Sequence, residues 1–366
     1  MRISSTMSLY ISRQFLVSFV VVMSTFLLLI MLFDVVELLR RVAARPEVSF
    51  GEVLQLSLLK LPYLGQETFP FAILFGGMAV FWRLTRSHEL TVTRAAGVSA
   101  WRFLLPVLVI AFLLGLAKVM VLSPFASGLL SRYERIEETL VKGRSNSLAL
   151  SGTGLWLRQT GETGQSVIHA RRVLQQGDEV ELHGVIVFNY GTGERFAGRV
   201  DAESARLEEG YWRMRNARIF EPEQPARQED ELRVPTDLTL TRIQDSFAPP
   251  ETMSFWSLPA FITTLEAAGF SAVRHRLHFH AMLAAPLLMC AMVLIAATFT
   301  LRQARRGGVT LIVAGGVLSG FVLHFFSDVV FAMGLSDAIP ATLAAWTPSG
   351  VATLLGLAML LHLEDG

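Results

Sequence analysis

The 366 residues are 52% apolar and 17% charged, with 32 Lys and Arg against 31 Asp and Glu and a formal net charge of +1, whereas soluble domains carry about 25% charged residues. That balance excludes a purely soluble enzyme, and it supplies no basic or acidic bulk for nucleic acid. The single cysteine, Cys290, lies inside an apolar run, which excludes an intramolecular disulfide and a Cys-rich metal site.

A hydrocarbon layer of roughly 30 Å is crossed by about 20 residues of helix, and six apolar runs approach that length. The first is Phe15 to Phe33. It is longer than the apolar core of a secretory signal, and no A-x-A-like site follows before Asp34 and Glu37, so it is expected to remain as an uncleaved span. Asp34, Glu37, Arg40 and Arg41 close its end at helical spacings, and Arg45 adds charge to the following loop. The second run, Phe69 to Trp82, has a less apolar lead-in from Val53. There Lys60, Gln66 and Glu67 interrupt the run, and Pro62 and Gly65 are expected to break the helix.

The next loop, Arg83 to Ser99, places Ser87 where it can N-cap a short helix from His88, with Gly97 to end it. Its Leu90, Val92 and Ala96 pattern, with Glu89 alone among arginines, fits either an interfacial turn or a docking helix for a soluble partner. The third run is Phe103 to Leu122, and Glu134 to Leu140 reads as a helix leading away from it. Arg132 and Arg135 share a face there at i, i+3, either as a solvated face paired with Glu134 and Glu138 or as part of a basic patch.

From Ser123 to Arg274 the pattern changes to short alternating runs divided by Gly, Asp and Asn, the signature of an all-β domain of about 110 to 120 residues. Leu155 to Leu157, Ser166 to Val173, Val180 to Phe188, Arg195 to Leu207 and Tyr211 to Phe220 are the expected strands. Within the third of these the alternation of Val180 and Leu182 changes phase after Gly184 to Val185 and Val187, which predicts a bulge. Ser254 to Ala268 reads as a helix returning to three further spans, Leu277 to Thr300, Val309 to Met333 and Ala341 to Leu361. Short loops on the side of the termini hold nine arginines, and the opposite side, counting Lys60, holds four basic residues. The positive-inside rule therefore predicts cytoplasmic termini and a β domain on the far side.

There is no G-x-x-x-x-G-K-[ST], G-x-S-x-G, H-E-x-x-H or S-x-x-K with its supporting motifs, so the residues support neither ATP hydrolysis nor a familiar membrane hydrolase. His275, His278 and His280 lack an accompanying carboxylate and read either as a metal candidate or as interfacial histidines beside Arg274 and Arg276. His324 and Asp328, at i, i+4, can meet within the fifth span as an internal pair or a functional one. Arg40, Arg41 and Arg45 oppose the positive-inside bias, and guanidinium groups there suit phosphate or carboxylate on an anionic head group.

Tyr10 to Arg13, the loop Ser87 to Gly97, Gly154 to Trp156 at the start of the β region, and Met333 to Pro348 together resemble the LptF/LptG lipopolysaccharide export permeases over essentially the whole chain. The end of the first span, Phe33 to Arg41, is nearer the LptG branch, and at Asp34 the chain departs from the basic residue of that pattern. The resemblance implies an α-helical membrane protein of six transmembrane helices with an inserted jellyroll-like periplasmic β domain. The expected divisions are residues 1–122 with a coupling helix near 87–97, residues 123–274, and residues 275–366.

It further implies a noncatalytic transporter subunit in the bacterial inner membrane, without cofactor or metal of its own and without nucleic acid. Its partners would be an LptB ATPase dimer that uses ATP and Mg, the sister permease LptF, and LptC with LptA beyond it. Lipopolysaccharide would enter from the outer leaflet and be pushed into the β domain. By the same resemblance Glu89, with Arg86, His88, Ala96 and Gly97, would couple to the ATPase. Glu37, Arg40, Arg41, Arg132 and Arg135 would meet the head group, and Phe33, Phe69 and Phe325 the acyl chains. Two other readings stay open on the residues alone: a permease for another envelope lipid or lipoprotein, and a membrane-anchored enzyme using the three histidines.

Overall fold

A computed structural model describes residues 5–43, 49–87, 89, 100–137, 148–151, 154–161, 164–176, 179–190, 196–222, 224–236, 249–267, 270–303 and 309–365. The chain divides into two compact units, one of Met1–Val141, Ser254–Trp256 and Arg276–Gly366, the other of Lys142–Met253 and Ser257–His275.

The first unit is helical. Its elements are α1 (Ser5–Val42), α2 (Phe50–Arg86), α3 (Ala100–Ala117), α4 (Ser123–Glu137), and, after the β region, α6 (Val273–Gln303, shared with the second unit), α7 (Val309–Leu335) and α8 (Ala341–Asp365). A π-turn, Lys118–Leu122, joins α3 to α4 in one uninterrupted helix. Among the described residues six helices are long and apolar enough to cross a membrane, as the six apolar runs anticipate. Several outlast the bilayer: α1 has 38 residues, about 57 Å at 1.5 Å per residue.

Helix α2 does not break where the sequence suggests. It runs through Pro62 and Pro70, and Ser49 starts it with a capping box, the Ser49 side chain accepting from Glu52 N–H while the Glu52 carboxylate accepts from Ser49 N–H at 2.7 Å. A proline removes one backbone donor, and helices packed on neighbours tolerate that loss far better than isolated ones. Here the neighbours are α1 and α3, whose Phe15, Phe19 and Leu104 join Ile73, Leu74 and Phe81 of α2 in the main core with Met289 and Val293 of α6. Small residues set the spacing: a Cβ on Gly115 of α3 would lie 2.6 Å from the Pro286 Cα of α6. A second cluster of Leu277, Val330, Ala344 and Ala345 holds α6, α7 and α8 together.

The second unit is built on a seven-stranded antiparallel sheet, β1 (Leu148–Ser151), β2 (Gly154–Gly161), β3 (Gly164–Gln176), β4 (Glu179–Tyr190), β5 (Phe196–Glu208), β6 (Tyr211–Phe220) and β7 (Arg227–Pro235), followed by α5 (Leu258–Ala267). The inserted all-β domain expected from the sequence is present. Its strands pair in chain order, so among the described residues the connectivity is a hairpin meander without the crossovers of a two-sheet jellyroll. Strands β1 and β7 were outside the sequence expectation. β1 has only four residues, and β7, Arg-Gln-Glu-Asp-Glu-Leu-Arg-Val-Pro, is a charged edge with no apolar alternation to read.

The sheet is creased along one line. Arg171, Gly184, Glu203, Asn216 and Asp230 face one another in register across β3 to β7, and the regular pairing skips each of them. Gly184 has φ +64° and Asn216 has φ +51°, left-handed conformations favoured by these two residue types. Burial changes phase at the crease in β3, β4 and β6, from Ile168 and Ala170 to Val173, from Val180 and Leu182 to Val185 and Val187, and from Trp212 and Met214 to Ala217. The phase change expected at Gly184 is present, but it is one point of a bend spanning five strands and not a bulge: pairing stays one to one on both sides of Gly184, and the register shift between β4 and β5 falls at Asn189/Tyr190 instead. Bending lets a single sheet keep one apolar face turned inward on both sides of the line.

Candidate functional site

The polar end of α1 is anchored by packing. Leu38 of α1, Val53 and Leu56 of α2, and Leu130 and Tyr133 of α4 form a small core of their own. Above it Lys60 Nζ lies 2.9 Å from Asp34 Oδ1, with side-chain exposures of 24% and 8%, and sits 5.6 Å from the centre of the Tyr133 ring. Asp34 Oδ2 has no hydrogen-bond partner among the described residues. Asp34 is therefore neutralised internally, by a lysine 26 residues further on.

One turn beyond, Glu37 is shared by two arginines. Arg41 Nε lies 3.1 Å from its Oε1 and Arg40 Nη2 3.2 Å from its Oε2. Arg41 also reaches Glu137 of α4 at 3.7 Å, tying the two helices, whereas the Arg40 side chain is 80% exposed. Arg132 and Arg135 are exposed on α4, where Arg135 Nε donates to the Ser131 carbonyl oxygen at 3.3 Å. The structure thus gathers Glu37, Arg40 and Arg41 in one cluster, with Glu137, absent from the expected set, joining it to the helix of Arg132 and Arg135. Guanidinium groups offer paired N–H bonds to an oxyanion.

Of the apolar residues, Phe33 and Phe325 are exposed on α1 and α7, while Phe69 is packed into the helix core against Phe19, ring centres 5.0 Å apart. At the opposite end of α2, Arg86 stacks over Trp82 at 5.3 Å. Ser87 closes α2, its N–H donating to Arg83 O at 2.9 Å, and its Oγ donates to Glu89 Oε1 at 2.9 Å; Glu89 is itself helical, and the rest of the expected short helix lies outside the described residues. Glu89 is exposed. His88, Ala96 and Gly97 lie outside the described residues.

Sequence reasoning missed Lys118. It occupies the π-turn within the apolar third span, where Gln66 Nε2 of α2 donates to Leu122 O at 3.3 Å. A lone ammonium inside an apolar run was the available signal, and π-turns frequently mark functional positions. His275 is buried beside Phe261, and no group of three His, Cys, Asp or Glu side chains suited to a metal ion occurs among the described residues. His324 Nε2 and Asp328 Oδ2 meet at 3.6 Å on α7, and the His324 ring is 6.0 Å from that of Phe71.

The family model "Lipopolysaccharide export system permease LptF/LptG" matches residues 9–362. The chain is 24% identical over 315 residues to the lipopolysaccharide export system permease protein LptG of Escherichia coli (strain K12), covering 84% of each chain. It is 22% identical over 297 residues, 80% of each chain, to the LptG protein of Haemophilus influenzae (strain ATCC 51907 / DSM 11121 / KW20 / Rd). Because the match runs from α1 through the sheet and into α8, the chain belongs to the lipopolysaccharide export permease family LptF/LptG.

Proposed function

We propose that this permease works as the LptG-type subunit of an export complex in the bacterial inner membrane, with both termini cytoplasmic and the β domain periplasmic. The chain is a transporter subunit and not itself an ATPase. In this reading its partners are an LptB ATPase dimer, the sister permease LptF, and LptC leading to LptA, and ATP and Mg act only in the ATPase. The family match over residues 9–362 carries the reading.

The geometry supports a division of labour. A lipid with several acyl chains needs an apolar wall, and its phosphorylated sugars need a charged rim. The exposed faces of α1 and α7, with Phe33 and Phe325, supply apolar surface, and Arg40, Arg41, Arg132 and Arg135 supply the rim. Glu37 and Glu137 hold Arg41 in place, which leaves Arg40 as the most open of the head-group contacts. Phe69, expected among the acyl-chain contacts, supports the wall from behind.

On the cytoplasmic side, Glu89 held by Ser87 at the end of α2 is the contact through which nucleotide-driven motion would enter. A rigid 37-residue helix then links that contact to the rim, since α2 also carries Lys60, the partner of Asp34. Photocrosslinking tests the assignment: a photoreactive residue replacing Arg40 should capture lipopolysaccharide in cells, and capture should rise when ATP hydrolysis is blocked. Absence of a lipopolysaccharide adduct from positions 40 and 132 alike would refute the rim.

A further inference from the structure

We propose that the crease of the β-sheet holds an oxyanion site, lined by Arg171, Arg172, Leu174, His183 and Gly184, that takes a phosphate group. These residues border a concavity of about 420 Å³. The site deepens the export reading by adding a subsite for the same class of cargo, and it rests on that reading only where the phosphate is borne by a lipid.

Consecutive residues of a regular strand point to opposite faces, so two adjacent arginines ordinarily cannot serve one ligand. At the crease they do. Arg172 pairs in register with His183, which places both side chains on one face. Arg171 stands opposite Gly184, and its Cβ, Cγ and Cδ lie 3.4, 3.3 and 3.1 Å from where a Gly184 Cβ would be, so its side chain fills the room the glycine leaves. The left-handed Gly184, by leaving that room, lets the Arg171 side chain lie across β4, and Arg171 and Arg172 both line the concavity.

The electrostatics favour an anion. Neither Arg171 nor Arg172 has an ion pair among the described residues, although β5 to β7 are rich in them. His183 Nε2 is buried without a hydrogen-bond partner among the described residues. Two acids face this stretch of the crease: Glu181 is 3.9 Å from that nitrogen and is shared with Arg206 at 3.5 Å, and Glu203, in register with Gly184 on β5, accepts from Asn216 Nδ2 at 2.6 Å. Two adjacent cations repel each other until an anion bridges them, and a phosphate offers both arginines a two-point contact and the imidazole an acceptor.

The test uses the full chain in phosphatidylcholine nanodiscs. Inorganic phosphate is titrated calorimetrically, and in parallel a photoreactive residue replacing Leu174 is exposed to lipopolysaccharide or to its phosphatase-treated form. Saturable phosphate binding that weakens at least about tenfold in Arg171→Gln/Arg172→Gln supports a site open to free oxyanion. Crosslinking that requires the lipid phosphates, with no binding of inorganic phosphate, supports the same site with a lipid-borne ligand. Gly184→Ala, which displaces Arg171, should act in the same direction, and unfolding midpoints within a degree or two of wild type show that the variants fold. A flat phosphate titration together with phosphate-independent crosslinking overturns the proposal, as does a double variant that binds like wild type. Neither negative outcome touches the export reading, which is tested at Arg40.

Discussion

Removing the Asp34 carboxylate should destabilise the helical unit more than any surface ion-pair change in this chain. The pair is mostly buried and closes at 2.9 Å between α1 and α2. Taking one partner from a fully buried pair costs about 3 to 5 kcal/mol, because the other charge is left desolvated. Lys60 keeps 24% of its side-chain exposure and the face of Tyr133, and a cation–π contact returns on the order of 1 kcal/mol. Asp34→Ala is therefore expected to cost about 2 to 3 kcal/mol. Asp34→Leu with Lys60→Met, which replaces both charges by apolar groups of similar volume, should lie within about 1 kcal/mol of wild type. Reversible unfolding in mixed micelles, run as a double-mutant cycle with Asp34→Ala and Lys60→Ala, measures the coupling directly. A coupling below about 0.5 kcal/mol, the level of an exposed pair, would refute the reasoning.

Glu89→Lys should leave the protein in the membrane at normal abundance while export and lipid-dependent ATPase activity collapse; Ser87→Ala, which removes one hydrogen bond to the Glu89 carboxylate, should reduce them less. Wild-type ATPase coupling in Glu89→Lys would remove that residue from the pathway. Arg40→Glu should change stability by under about 0.5 kcal/mol and yet lower lipopolysaccharide capture several-fold. Arg41→Glu should lower both, because it also sets a third carboxylate beside Glu37 and Glu137, and equal thermal midpoints for the two variants would contradict the tie to α4. Gly115→Val puts side-chain carbon against the Pro286 backbone and should cost about 1 to 3 kcal/mol through overpacking; thermal unfolding equal to wild type would show that α3 and α6 separate freely.

The helices were legible because bilayer thickness imposes a length on apolar runs that few other structures share. The five inner strands from β2 to β6 were legible through alternation, and Val180 to Val187 even disclosed the phase change at Gly184. The crease as a whole was not, since Arg171, Glu203 and Asp230 fall in line only once register is known. Strand β7 escaped because an exposed edge selects charge instead of apolar period. The candidate site divides similarly. The pairing of Arg40 and Arg41 with Glu37 follows from i, i+3 and i, i+4 spacing. The bond between Asp34 and Lys60 joins separate helices, and nothing local in either segment announces it. Lys60 and Pro62 read as interruptions for the same reason: the partner that accommodates the charge and the packing that supports the helix lie elsewhere in the chain.

In the function proposed for it, this chain is one half of a lipopolysaccharide exporter driven by a separate ATPase. The most direct test of that role is mild-detergent purification of the tagged protein from its native membrane, with mass spectrometry of the proteins and lipids that accompany it. The account predicts an ATPase dimer, a second six-span permease and lipopolysaccharide in one complex, with the ATPase lost in Glu89→Lys. A chain recovered alone, with neither ATPase nor lipopolysaccharide, would contradict it.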